Sequence, residues 1–376
     1  MNRYDVVIAG GGLIGGSIAL GLARAGAKVA ILDAGAPGRE ASWAGAGILS
    51  AAHQSPEMNS LIPLTRASLE MYPQFVKQIK ELTGQDVGFR PYGLLEVLGR
   101  DITREELSKL VLEQHKQGLT AKILSGAQAR EIEPELNAEL KAAILRPDDA
   151  SVDNRALTVA VLDAARLVGV QIYENTTAVS ILREGRRAFG LLTNAGNFEA
   201  RWTVIAAGCF SAGIEGAGRY APVIPAKGQM VAVRCEATVI RRVLMSEDVY
   251  LVPRDAGRIL VGATIERIGF DRAVREDAIQ ELLTAAISLT PALKKHEVVE
   301  RWSGLRPDSP DHLPILGPTD LEGLIIATGH FRNGILLAPV TAKMICEWIQ
   351  AQPMSTDYEC FSPMRFLETR KSCTAE

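Results

Sequence analysis

The first hydrophobic run, Tyr4-Asp5-Val6-Val7-Ile8-Ala9, is short and β-branched, the pattern of a strand buried on both faces. Glycines follow at 10, 11, 12, 15 and 16. Helix formers then extend from Ser17 to Ala25, and a second apolar run, Lys28 to Leu32, ends on Asp33. This order predicts one strand–turn–helix–strand unit. Residues 57–82 place Leu61, Leu64, Leu69, Tyr72, Phe75, Val76, Ile79 and Leu82 at roughly helical spacing, and Gly84 stops them. Residues 90–98 predict a strand. Glu105–Gln117 and Ala127–Ile132 predict helices whose charges form a solvated face, and Asn154–Leu167 predicts an amphipathic helix. Short apolar runs at 170–173, 178–182, 189–193 and 197–199 predict strands joined by turns. Trp202–Ile205 predicts another that ends in Ala206-Ala207-Gly208, small enough for backbone to approach a ligand at the carboxyl edge of a parallel sheet. Residues 221–263 alternate as in an antiparallel sheet, and Ala273–Ser288 predicts a helix. Leu324–Ala327 predicts a buried strand running into Thr328–Gly334, with a helix from Ile335 to Gln350 and a polar tail after Pro353.

The implied fold is α/β, a Rossmann-like dinucleotide-binding domain interrupted by insertions. The insertions form an α+β second domain around an antiparallel sheet that binds substrate. The boundaries expected are 1–85, 147–220 and 302–376 for the first domain, and 86–146 and 221–301 for the second. A length of 376 residues suits two domains or three.

A net charge of −3 excludes bulk nucleic-acid binding. The five cysteines, Cys209, Cys235, Cys346, Cys360 and Cys373, form no C-x-x-C pair, which argues against a zinc site or disulfide framework and for a reducing, cytoplasmic setting. No metal is expected. Val6–Ala23 is uncharged for 18 residues, but six are glycine and no basic stretch precedes them, so a turn explains the run better than a membrane span.

The glycine turn has a chemical reading. Gly10 permits the tight turn, Gly12 lets a pyrophosphate approach the backbone, and Gly15 lets helix and sheet lie close. The helix N-terminus offers free N–H groups to the phosphates. Asp33, at the end of the second strand, is placed to accept from ribose hydroxyls. These features leave NAD and FAD both open. Residues 34–52, rich in glycine and alanine, read equally as backbone lying against a flat ligand or as a flexible connection.

The glycine turn with Asp33, the ASWAGAGIL loop, the VIAAG strand, WSGLRPDSPDHLPILG and GHFRNGILLAP occur in that order. Together they resemble the FAD-dependent amine and D-amino-acid oxidase superfamily, and within it the glycine oxidases of thiamin biosynthesis, over roughly residues 3–350. The resemblance implies FAD and oxidative deamination of a small amino acid or amine. The expected products are an imine (hence a 2-oxo acid and ammonia) and hydrogen peroxide from molecular oxygen. It also implies a homo-oligomer, a tetramer.

By the same resemblance Arg306 pairs with the substrate carboxylate as a bidentate fork, and Tyr250 is a second carboxylate contact. Arg332 is expected at the substrate or the flavin edge. Ile265 matches a pocket-lining position that is methionine in the best-known members, and Asp248 stands where they have a histidine. For the cofactor, Gly10, Gly12, Leu13, Ile14 and Gly15 are expected at the pyrophosphate. Ser42, Ala44, Ala46, Gly47 and Ile48 are expected along the flavin, and the Val179 backbone at adenine. Ala207, Gly208, His330, Asn333, Gly334, Ile335 and Leu336 complete the set. Related enzymes with covalent flavin often carry a histidine where this chain has Ala44, and no cysteine precedes the last glycine loop, so FAD is expected to be noncovalent. No side-chain base is expected, because an unprotonated amine can lose hydride directly. Among the histidines, His53, His115, His296, His312 and His330 show no triad or ligand spacing. The competing readings are a quinone-linked D-amino-acid dehydrogenase, a sarcosine oxidase-like enzyme, an NAD-dependent dehydrogenase and a flavin-binding scaffold without turnover.

Overall fold

The computed structural model describes residues 3–52, 56–98, 102–235, 239–352 and 359–367. His53, Cys373 and most of the tail after Pro353 lie outside the described residues.

Two eight-stranded sheets organise the chain. The first is built on β1 (Arg3–Ala9), which is flanked in parallel by β2 (Val29–Leu32) and by the strand Gly196–Ile205. Parallel strands Gln171–Tyr173 and Leu324–Thr328 extend it, and Ile315–Pro318 closes one edge antiparallel. Val6, Val7 and Ile8 are buried on both faces, which explains their continuous apolar run. Helix α1 (Leu13–Arg24), Ile62–Thr83, Asn154–Leu167 and Ala338–Ile349 pack on one another beside this sheet. The hairpin Ala178–Glu184 and Arg187–Thr193 extends the long strand 196–205, and a second core forms among Tyr4, Val7, Ile181, Leu191 and Phe198.

The second sheet runs, in spatial order, through 297–308, 224–234, 258–262, 250–253, 243–245, 94–97, 142–146 and 122–125. It is mixed rather than antiparallel throughout: Val243–Met245 pairs parallel with Leu94–Val97. Helix Glu276–Leu289 buries its apolar face against it.

Three further expectations change. The strand Glu297–Asp308 runs through residue 302, so the boundary placed there cuts a strand, and Arg306 belongs to the second sheet. Asn197–Glu199 and Trp202–Ile205 are one ten-residue strand. The last helix begins at Ala338 rather than Ile335, after turns over 331–337.

Candidate active site

A cavity of about 740 Å³ opens at the carboxyl ends of the parallel strands, with walls from both sheets. Its lining passes from Asp33, Thr177 and Ala178, past the glycine turn, to Tyr250 and Arg306. Gly10 has φ +104°, and a Cβ there would stand 2.4 Å from the Ala206 carbonyl oxygen. Its bare backbone lets the turn close while the Gly10 N–H donates to Leu32 O at 2.8 Å. The Asp33 carboxylate accepts from the Gly11 and Gly35 N–H groups, at 2.8 and 2.9 Å, and also lines the cavity. Gly12, Leu13 and Ile14 line it too, and the Leu13 N–H donates to Ser42 Oγ at 2.9 Å. Gly15 is in the turn's packing, not the lining: a Cβ there would meet Gly10 O at 2.0 Å. A strand-end glycine cradle of bare backbone, an acid locked at the next strand and a cavity continuing to a second sheet fit a dinucleotide.

The loop beside the cradle sits on a built platform. Ser42, Ala44, Ala46, Gly47 and Ile48 all line the cavity. Beneath them, Asn154 Nδ2 donates to Ser42 O at 2.8 Å and Trp43 O at 3.1 Å. Arg155 donates to Trp43 O, stacks on the Trp43 ring at 4.5 Å and forks onto Glu300 at 2.9 and 2.7 Å. Arg254 Nη2 donates to Ala46 O at 2.7 Å and Val152 O at 3.0 Å. Burial pushes its pKa down to about 10, so it stays charged at neutral pH. From the second sheet, Trp302 Nε1 donates to Ala44 O at 3.0 Å, and Gly304 leaves room for the Ala44 methyl.

The far end gathers Tyr250, Arg306 and Arg332 with Met230 and Met245. The Arg306 guanidinium lies over Gly228 on the adjacent strand, and its Nη1 donates to Thr264 O at 3.0 Å. The Tyr250 ring lies over Gly262. Enclosure by protein and the nearby positive Arg306 push the Arg332 pKa below its ordinary value, against the pull of Tyr250.

Ala207, Gly208, His330, Asn333, Gly334 and Ile335 also line the cavity. The turn after Arg332 is fixed from behind: Tyr72 OH donates to Ile335 O, and Ser68 Oγ donates to Leu336 O at 2.6 Å. His330 is buried and shares a hydrogen bond with Thr341 Oγ1 at 3.1 Å. Burial pushes its pKa down to about 3, so the imidazole is neutral.

With Gly15, three further expected residues, Val179, Ile265 and Leu336, fall outside the cavity lining. Thr177, just ahead of the strand, and Ala178, its first residue, line the cavity; the Val179 side chain is exposed, and of its backbone the carbonyl accepts from the Glu215 N–H. Ile265 is 45% exposed and outside the lining, because the strand ends at Gly262 and the chain leaves the chamber. Leu336 is a core residue packed among Leu13, Tyr72 and Ala338. The residues unforeseen in sequence are Met230, Met245, Gly228, Asn154, Arg155, Arg254 and Trp302. Only the Asp153 cap ahead of the helix at 154 is a local signal for any of them. Among the described residues no cluster of metal-ligating side chains occurs, and no helix is long and apolar enough to cross a membrane.

A match to the FAD dependent oxidoreductase family, DAO, covers residues 5–348. The chain is 34% identical to the glycine oxidase of Geobacillus kaustophilus strain HTA426, over 97% of this chain and 98% of that protein. It is 36% identical to the bifunctional protein ThiO/ThiG of Synechocystis sp. strain PCC 6803, over 97% of this chain and 54% of that one, so it spans about half of that relative's length. The crystal structure of glycine oxidase from Geobacillus kaustophilus superposes with a TM-score of 0.91 at 34% identity, covering 97% of this chain and 99% of that one. The chain therefore belongs to the DAO family of FAD dependent oxidoreductases, and FAD is its cofactor.

Proposed function

We propose that the protein oxidises glycine and similarly small amino acids or amines to the imine, which hydrolyses to a 2-oxo acid and ammonia. Molecular oxygen is the final acceptor and becomes hydrogen peroxide, and the imine feeds the thiazole of thiamin. The relatives named glycine oxidase and ThiO/ThiG support this reading. The observation that carries it is the meeting of Arg306, Tyr250 and Arg332 at one end of the cavity.

Noncovalently bound FAD would supply the hydride acceptor for the substrate Cα and the route of two electrons to oxygen. The chain supplies orientation and charge. The Arg306 fork takes the substrate carboxylate, and the Tyr250 hydroxyl donates to it as a second contact. Two guanidinium groups in one chamber disfavour an ammonium there, so the amine is held in the neutral form that hydride loss requires. Burial makes His330 a weak base, and its Nε2 is engaged with Thr341 Oγ1, so no proton transfer is assigned to it. Met230 and Met245 give apolar walls that favour a small side chain.

The test is the visible spectrum of the purified protein, taken without oxygen before and after glycine. Flavin bands that bleach with glycine and return with air support cofactor, substrate and acceptor together. Bands that ignore glycine but bleach with sarcosine or D-alanine change the substrate. A protein that shows no flavin bands after FAD is added overturns the assignment.

A further inference from the structure

Lys227 is fully buried, yet nothing in the chemistry above uses it. It lies on the strand Ile224–Arg234 beside Gly228. Gly228 and Met230 face the cavity, so by strand alternation Lys227 and Gln229 face the other way. Lys227 Nζ donates to Asp271 Oδ2 at 2.7 Å. Its backbone pairs with Glu266 in both directions at 2.9 Å. Gln229, also fully buried, continues the attachment: its N–H donates to Thr264 Oγ1 at 3.0 Å, and its Nε2 donates to Glu266 Oε1 at 2.7 Å. Its Oε1 accepts from the Arg275 N–H at 2.6 Å. Thr264 Oγ1 donates to Glu266 Oε1 at 2.8 Å. Burial opposes the Glu266 charge, but hydrogen bonds from Gln229 and Thr264 and the charge of Lys227 hold its pKa below the usual range.

These bonds dock residues 264–275 along the strand, and one end of that segment touches Arg306, a residue of the substrate chamber. Thr264 O is the acceptor that fixes Arg306 Nη1. The other end is held by Asp271, by Ser303 Oγ on Arg272 O and by the Arg272–Glu40 ion pair at 2.6 Å. A buried ammonium left without its carboxylate is costly, so the Lys227–Asp271 pair resists separation.

We propose that Lys227 is a positioning residue for the substrate carboxylate: by pinning 264–275 through Asp271 and Glu266, it sets the Thr264 carbonyl that holds the Arg306 guanidinium over Gly228. This rests on the reading of Arg306 as the carboxylate fork.

The experiment uses the FAD-loaded protein and acetate, a carboxylate with no amine, titrated through the visible spectrum of the bound flavin. Lys227→Met is expected to weaken acetate binding about tenfold and to raise the KM for glycine in step, the size of effect expected when a charged hydrogen-bonding fork is misplaced. FAD content should be unchanged, and kcat should fall much less than KM rises. Loss of a merely structural residue would lower flavin content and kcat instead. Asp271→Asn, at a half-exposed position, keeps the test available if Lys227→Met does not fold, and a severalfold weakening is expected. Unchanged acetate affinity in either folded variant, while Arg306→Lys loses it, overturns the proposal. Unchanged affinity in Arg306→Lys itself removes the carboxylate-fork reading and the proposal with it.

Discussion

The Arg306 guanidinium occupies the space that a side chain at Gly228 would fill: a Cβ there would fall 2.2 to 2.5 Å from three of its atoms. The two residues sit on paired strands, where Ala226 opposes Arg306 and Gly228 opposes Gly304. Gly228→Ala would drive the flexible end of the arginine aside rather than distort backbone. Stability should fall by only about 1 kcal/mol, while the KM for glycine rises about tenfold, because the fork no longer meets the carboxylate. Steady-state kinetics beside a melting curve separate the two effects, and an unchanged KM would refute the placement.

Gly10→Ala should act on the cofactor instead. The residue combines φ +104° with a Cβ position 2.4 Å from the Ala206 carbonyl oxygen. Backbone cannot yield as a side-chain tip can, so a loss of about 2 kcal/mol or more is expected. FAD should also stabilise the variant less than the parent. Unfolding with and without added FAD measures both.

Arg254→Met removes the cation that holds the carbonyls of Ala46 and Val152. Those buried acceptors then lose a charged donor, at a cost of about 2–4 kcal/mol. FAD should dissociate more readily, because the loop along the flavin loses its support. Fluorescence of released flavin on dilution would report this, and retention equal to the parent would contradict the platform role.

Two buried groups give opposing acid responses. Burial lowers the His330 pKa from 6.5 to about 3, so its contribution is present above pH 6.5 and is lost as pH falls through that window. Burial raises the Asp149 pKa from 3.8 to about 6, despite the hydrogen bond from Ser50 Oγ. Its folded form therefore binds protons more tightly, and it favours the fold increasingly as pH falls from about 6 to 3.8. Relative to the parent, Asp149→Asn should lose stability on acidification across that range. His330→Gln should gain, and each difference should change by up to about 1.4 kcal/mol per pH unit. Denaturant titrations at several pH values test the signs, and parallel curves would refute both.

The glycine turn was legible because everything it needs lies within one strand–helix–strand unit. Arg306, Tyr250 and Arg332 are far apart in sequence and were placed by resemblance; the fold brings them to one chamber. The strand Glu297–Asp308 is not legible as a strand. Its Glu300 meets Arg155 and Arg258 rather than an apolar core, so the hydrophobic alternation that marks a strand is broken. The Asp153 cap marks where the helix of Asn154 and Arg155 begins, but the roles of Asn154, Arg155 and Arg254 at the site are not legible, because their partners lie about a hundred residues or more away.

Glu300, Trp302, Gly304, Arg306 and Asp308 occupy alternate positions of that same strand. They meet, in turn, Arg155, Ala44 O, the Ala44 methyl, Thr264 O and His312. The strand thus works as a gauge of fixed pitch, at about 3.4 Å per residue, between the loop at Ala44 and the Arg306 guanidinium, the group proposed to take the acid end of the substrate. A single inserted or deleted residue would throw every later contact onto the opposite face. Substitution at Met230 or Met245 can widen the chamber, but the span from the Ala44 loop to Arg306 is written into backbone and changes only if the strand is rebuilt.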